Sequence, residues 1–159
     1  MTMLCEDLSS VLSGRVAVVG VGHTERGDDG AGPLIAHMLE DAGIEHAIDS
    51  GTSPELDTWK LRALMPDSVL FVDAVDFGGQ PGDAALLPPG DMRKSAFDTH
   101  RAALSITMEY LQNELKCRCF LLAVQPKHVE YGAPMSDEVS RSAASIAEIL
   151  GQVIGPSGG

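Results

Sequence analysis

A chain of 159 residues in which 44% of the side chains are apolar is the size of one ordinary domain and can bury a core without disulfides or a structural metal. Eleven lysines and arginines against twenty-three aspartates and glutamates leave a net charge of −12, which repels phosphate backbones and anionic lipid, so neither nucleic acid nor a membrane is expected as a partner. No apolar run reaches the roughly 20 residues of a membrane helix, Glu6 and Asp7 stand where a signal peptide carries positive charge, and three sparse cysteines make no disulfide framework; the expectation is a single cytoplasmic domain over 1–159.

Residues 1–14 read as a loosely held lead-in to a first strand, Arg15 to Val21. Glycines break that apolar run, and a helix follows from about Asp29 to Asp41, because Ala31, Leu34, Ile35, Met38 and Ala42 recur at helical spacing. Pro33 then sits in the opening turn, where its missing N–H costs little. Ile44 to Asp49 is a short second strand closed by Asp49-Ser50-Gly51-Thr52. Ser53-Pro54-Glu55 reads as a helix start, with Leu56, Trp59, Lys60 and Ala63 lining the second helix until Pro66 stops it.

Ser68 to Ala74 is a continuous apolar run fit for a strand covered on both faces, and its one charged residue, Asp73, comes near its end. The glycine and proline cluster over 78–82 is a turn, and so short a connection makes Asp83 to Leu87 an antiparallel strand. Leu104, Met108, Leu111 and Leu115 predict a third helix from about Thr99 to Leu115, followed by a buried strand over Phe120 to Val124. Cys117 and Cys119 are two apart and would share a strand face; they suit core packing better than a soft-metal site. A last helix over Ser136 to Leu150 has Gly151 in the C′ position, and residues 152–159 form a loose tail.

Strands alternating with helices predict a three-layer α/β/α domain with a mostly parallel sheet. In such sheets ligands gather at the carboxyl ends of the strands. That rule selects Asp29 after the first strand, Asp73 at the end of the third, and His100 in the connection to the third helix. Two carboxylates and an imidazole suit a divalent first-row metal, leaving positions open for water or substrate, with hydrolysis as the natural chemistry. The N-terminus of the first helix favours an ionised Asp29. Asp29 equally suits a plain N-cap, and a lone histidine is more often a surface residue than a ligand, whereas a carboxylate closing a buried strand needs a partner or a role.

Gly20-Val21-Gly22 opens like a dinucleotide fingerprint, but Glu25 occupies the place of its last glycine. There is no Walker lysine motif, no H-E-x-x-H and no G-x-S-x-G elbow.

Four segments together resemble the hydrogenase maturation endopeptidases: Gly20-Val21-Gly22-His23 through Arg26-Gly27-Asp28-Asp29-Gly30-Ala31-Gly32, Asp49-Ser50-Gly51-Thr52, Val72-Asp73-Ala74-Val75-Asp76-Phe77-Gly78, and Thr99-His100. Members of that family remove a C-terminal extension from the large subunit of nickel-iron hydrogenases. The resemblance implies an aspartyl protease-like hydrolase of phosphorylase/hydrolase-like fold, with a mixed five-stranded sheet that has one antiparallel strand. It assigns metal binding and catalysis to Asp29, Asp73 and His100, and substrate recognition to Asp49, Ser50, Gly51 and Thr52. It also implies that nickel arrives with the hydrogenase large-subunit precursor, with no permanently bound metal in the free enzyme.

Two positions depart from the family pattern. His23 stands where asparagine is usual and either adds a fourth donor or, the favoured reading, replaces a loop hydrogen bond. Ser50 replaces a glycine, which matters if the backbone there needs an unusual angle. Two other function classes are kept beside the peptidase: a non-catalytic module that recognises the metal-loaded site, and a nucleotide-binding domain built on the glycine-rich loop, which the acidic charge disfavours.

Overall fold

The structure, a computed structural model, describes residues 2–88 and 99–155. Five strands, β1 (Val16–Gly20), β2 (Ala47–Asp49), β3 (Ser68–Ala74), β4 (Ala84–Leu87) and β5 (Arg118–Val124), form one sheet in the order β2-β1-β3-β5-β4. All pairs are parallel except β4 with β5. Among the described residues there are five helices, α1 (Thr2–Val11), α2 (Ala31–Asp41), α3 (Thr58–Leu64), α4 (Thr99–Leu115) and α5 (Asp137–Ile154), and two short 3₁₀ turns over Gly27–Gly30 and Pro54–Asp57. None of these helices is long and apolar enough to cross a membrane.

The layers follow from the pleat of β3. Val69 and Phe71 point to one side and pack with Leu61 of α3 and Leu104, Met108 and Leu111 of α4. Leu70 and Val72 point to the other, against Leu8 of α1, Ile35 and Leu39 of α2, and Val139 and Ile146 of α5. A strand buried on both faces needs an unbroken apolar run, and 68–72 supply one. The mixed three-layer architecture is thus the expected one.

Four local expectations are corrected. Residues 2–14 are not a loose lead-in: Leu4 and Leu8 of α1 and Leu12 just after it recur every four residues and are buried, so this segment contributes to the core. The helix after β2 faces the other way from its expected lining. Its first turn is 3₁₀, which changes the phase, so Leu61 turns inward while Leu56 and Trp59 are 69% and 62% exposed. The last helix runs through Gly151 to Ile154, and Gly155, with φ 76°, caps it instead. The expected loose tail therefore begins no earlier than Gly155, and residues 156–159 lie outside the described residues.

Strand boundaries also move: β2 is Ala47–Asp49 alone, and β5 starts at Arg118. Cys117 and Cys119 are both buried, with their sulfurs 4.0 Å apart. Among the described residues no cluster of three histidine, cysteine or acidic side chains is placed to hold a metal.

Candidate active site

The four parallel strands end at one edge of the sheet, so the segments that follow them share that edge: 21–30 after β1, 50–57 after β2, 75–83 after β3 and 125–136 after β5. The register pairs Gly20 with Val72, and the Val21 N–H donates to the Val72 carbonyl at 2.8 Å. The opening turn of α2 then lies directly on these strand tips. A Cβ on Gly32 would stand 2.3 Å from the Val72 oxygen and 2.4 Å from the Val21 oxygen, both main-chain atoms that cannot give way. Glycine at 32 is what lets the turn carrying Asp29 abut the end of β3, one residue before Asp73.

Asp73 is 1% exposed. It follows the alternation of Val69 and Phe71, which sets it towards the α3 and α4 side of the sheet. Asp29 is half-buried in the 3₁₀ turn Gly27–Gly30. It is not the N-cap of α2, since Gly30 holds that position with no side-chain bond. Its Oδ2 accepts instead from the His23 N–H at 2.9 Å. His23 thus meets Asp29 through its main chain. Its ring Nδ1 accepts from the Glu25 N–H at 3.2 Å, and the ring meets Tyr131 edge-on with centroids 6.0 Å apart. The Nδ1 lone pair is thus engaged within the loop itself. His23 is a loop residue, in line with the favoured reading.

His100 falls in the first turn of α4. The C-terminus of α4 leads through 116–117 into the start of β5, at the far edge of the sheet, so its first turn lies towards the strand tips where Asp73 ends β3. The His100 side chain is outside the described residues.

Residues 49–52 form a compact turn at the same edge. The Ser50 N–H donates to the Gly20 carbonyl at 2.9 Å, the Gly22 N–H to the Gly51 carbonyl at 2.8 Å, and the Gly51 N–H to Asp49 Oδ1 at 3.0 Å. The left-handed angle belongs to Gly51, with φ 55°, and not to Ser50. Serine is therefore compatible with the loop, and its hydroxyl adds a bond to Asp57 Oδ2 at 2.7 Å. Asp49 Oδ2 also pairs with His37 Nε2 at 2.9 Å.

Sequence reasoning missed the residue that holds these loops together. Asp28 is fully buried. Its Oδ2 accepts from the N–H groups of Lys127 and His128 at 2.8 and 3.0 Å, and its Oδ1 from the Ser136 N–H at 2.7 Å. The Ser136 hydroxyl bonds to the same carboxylate at 2.9 Å and also caps α5. The Asp28 N–H returns a bond to the His128 carbonyl at 2.7 Å. Burial by itself raises the Asp28 carboxyl pKa, but the donors from His128, Lys127 and Ser136 outweigh it and hold the group below the ordinary value of 3.8. The only sequence signal was the Asp28-Asp29 pair, which does not say which aspartate turns inward. Gln125 plays a lesser part of the same kind, its Oε1 accepting from the Phe77 and Gly79 N–H groups in the loop after Asp73.

An α/β/α sheet with acidic residues just after its strand tips offers the kind of edge on which hydrolytic or metal-recognising sites are built. Comparison with known proteins makes the class specific. The family model for HycI, hydrogenase maturation protease, matches residues 34–153. The Hydrogenase 3 maturation protease of Escherichia coli K12 is 32% identical over 133 residues, covering 82% of this chain and 85% of that protein. Among solved structures, the crystal structure of the nickel-iron hydrogenase maturation protease HycI from Thermococcus kodakarensis superposes with a TM-score of 0.85 at 29% identity, over 93% of this chain and 98% of that one. The solution structure of the endopeptidase HycI from Escherichia coli gives 0.77 at 27% identity, over 91% and 94%. The chain belongs to the HycI hydrogenase maturation protease family and is a peptidase of that family.

Proposed function

We propose that this chain removes the C-terminal extension of a hydrogenase large-subunit precursor that already carries nickel, and that Asp29, Asp73 and His100 are the groups that engage the substrate's metal. The observation that carries the reading is the seat of the Asp29 turn: the absence of a side chain at Gly32 lets that turn lie against the Val72 carbonyl, immediately before Asp73 in the chain. Carboxylate oxygens and a neutral imidazole suit a divalent first-row cation. Asp73, nearly buried, places its carboxyl oxygens where little water competes for a cation. The turn over 49–52 recognises the precursor beside it, with Asp49 to Thr52 presented next to the Gly20–Gly22 backbone.

In the cleavage step, water adds to the carbonyl carbon of the scissile peptide. That water is activated either by one of the two aspartates, which would take its proton, or by the substrate's metal, which would acidify it, and the same proton is delivered to the departing amine as the C–N bond breaks. The metal arrives with the precursor and leaves with the processed subunit.

Incubation of purified chain with nickel-loaded and nickel-free precursor, read by mass spectrometry, tests this reading. The expected result is loss of the C-terminal extension from the loaded precursor alone, abolished by Asp73→Asn. Unchanged processing by Asp73→Asn would remove that residue from the mechanism, and binding without any mass change would make the chain a docking module instead.

A further inference from the structure

Residues expected to line the core of α3 are on its outside, and they do not stand alone. Leu56 and Trp59 project from the start of the 3₁₀ turn and α3, while Ala103, Ile106 and Tyr110 form the outer stripe of α4, Ile106 being 67% exposed. The Arg62 guanidinium lies 5.3 Å from the centre of the Tyr110 ring and joins the two helices. Scattered exposed apolar side chains are ordinary, whereas exposed apolar residues on two adjacent helices bridged by Arg62 are a candidate interaction surface.

We propose that this surface receives the folded body of the large-subunit precursor, with Trp59 as its anchor; the inference rests on the reaction proposed above. Its position argues for that occupant. The 3₁₀ turn carrying Leu56 continues directly from the loop 49–52 and is tied to it by the Ser50 hydroxyl on Asp57. Since α3 descends from the strand tips towards the start of β3, Leu56 and Trp59 are at its site end. Ala103 and Ile106 are likewise at the site end of α4, one to two turns beyond His100. A protein substrate seated at the strand tips has this face beside it, at the site end of both helices. Tryptophan is the residue type most able to concentrate binding energy in such a contact, and Arg62, in a chain of net charge −12, adds a cation suited to an acidic rim on the partner.

Trp59 is the chain's only tryptophan, so replacing it biosynthetically with azatryptophan, whose emission is separated from that of the partner's own tryptophans, gives a direct report on the surface. Titrating the Asp73→Asn chain with nickel-loaded precursor is expected to shift its emission to the blue as the azaindole leaves water; unchanged emission at saturation would overturn the proposal. In processing assays, Trp59→Ser and Ile106→Ser are expected to lower kcat/KM by about tenfold or more, chiefly through KM, with kcat within about twofold. Both side chains are exposed, so the circular dichroism melt should not move. A kcat/KM within about twofold of wild type would overturn the proposal, as would loss of self-association in sedimentation with processing intact, which would make the face a contact between two copies. Failure of the wild-type chain to cut any precursor would sink the reaction itself, and the fluorescence titration would still decide the surface.

Discussion

Around Asp28 the molecule is closed; one residue further on, around Asp29, it is open. Asp28 is wholly buried and its two oxygens take donors from Lys127, His128 and Ser136. Asp29 is half-buried and, among the described residues, takes a single hydrogen bond, from the His23 N–H to Oδ2. Identical side chains thus do unlike work. A carboxylate whose lone pairs are filled by main-chain N–H groups from a distant loop holds structure together. One that keeps lone pairs at the strand edge can still be offered to a substrate. The anchor also serves the open site, since it joins the Asp29 turn to the start of α5 and holds the 127–136 loop against the same edge of the sheet.

The sharpest way to break this comparison is to neutralise each aspartate in turn. Asp29→Asn is expected to reduce precursor processing on the order of 10²–10³-fold with the melting temperature held. Asp28→Asn is expected to destabilise by about 2–4 kcal/mol, because an amide cannot accept all of those N–H groups and turns its own N–H against some of them. Processing assays and thermal melts on both variants check this; a stable Asp28→Asn chain would mean the anchor is not one.

A smaller effect appears in acid. The folded Asp28 carboxyl has its pKa below 3.8, so its contribution to stability is fully present above the unfolded value and is lost as pH falls from about 4 through the folded value. Over that window the wild-type chain should lose stability more steeply than Asp28→Asn, as read by denaturant melts at successive pH values. The smallest effect is expected of Ser136→Ala. It removes the α5 cap and one donor to Asp28 but leaves three N–H groups in place, costing about 1 kcal/mol.

Much of the framework was legible in the residues. The apolar run of β3, the helical period of α4 and the short turn before β4 gave the layers and the single antiparallel strand, because burial on two faces, burial on one stripe and a tight connection each leave their own period. The start of the chain and the second helix were not legible in the same way. The apolar stripe of α1 is interrupted by acidic residues, and only the space over the sheet makes a face of its two leucines and Leu12 just beyond them. On the second helix, the 3₁₀ turn rotated an apolar pattern away from the core, and pattern alone cannot sense a change of pitch.

The amino-acid sequence by itself determined the kind of sheet, the residue types at its strand tips and the family to which four separated segments belong. Those depend on local period and on motifs that survive unfolding. Only the tertiary structure decided which of two adjacent aspartates is sealed and which stays half-exposed, that Ser50 fits its turn because Gly51 takes the left-handed angle, and that Trp59 faces outward. Each of these is set by donors, backbone atoms or packing partners many residues away in the chain, which meet the residue only when the chain is folded.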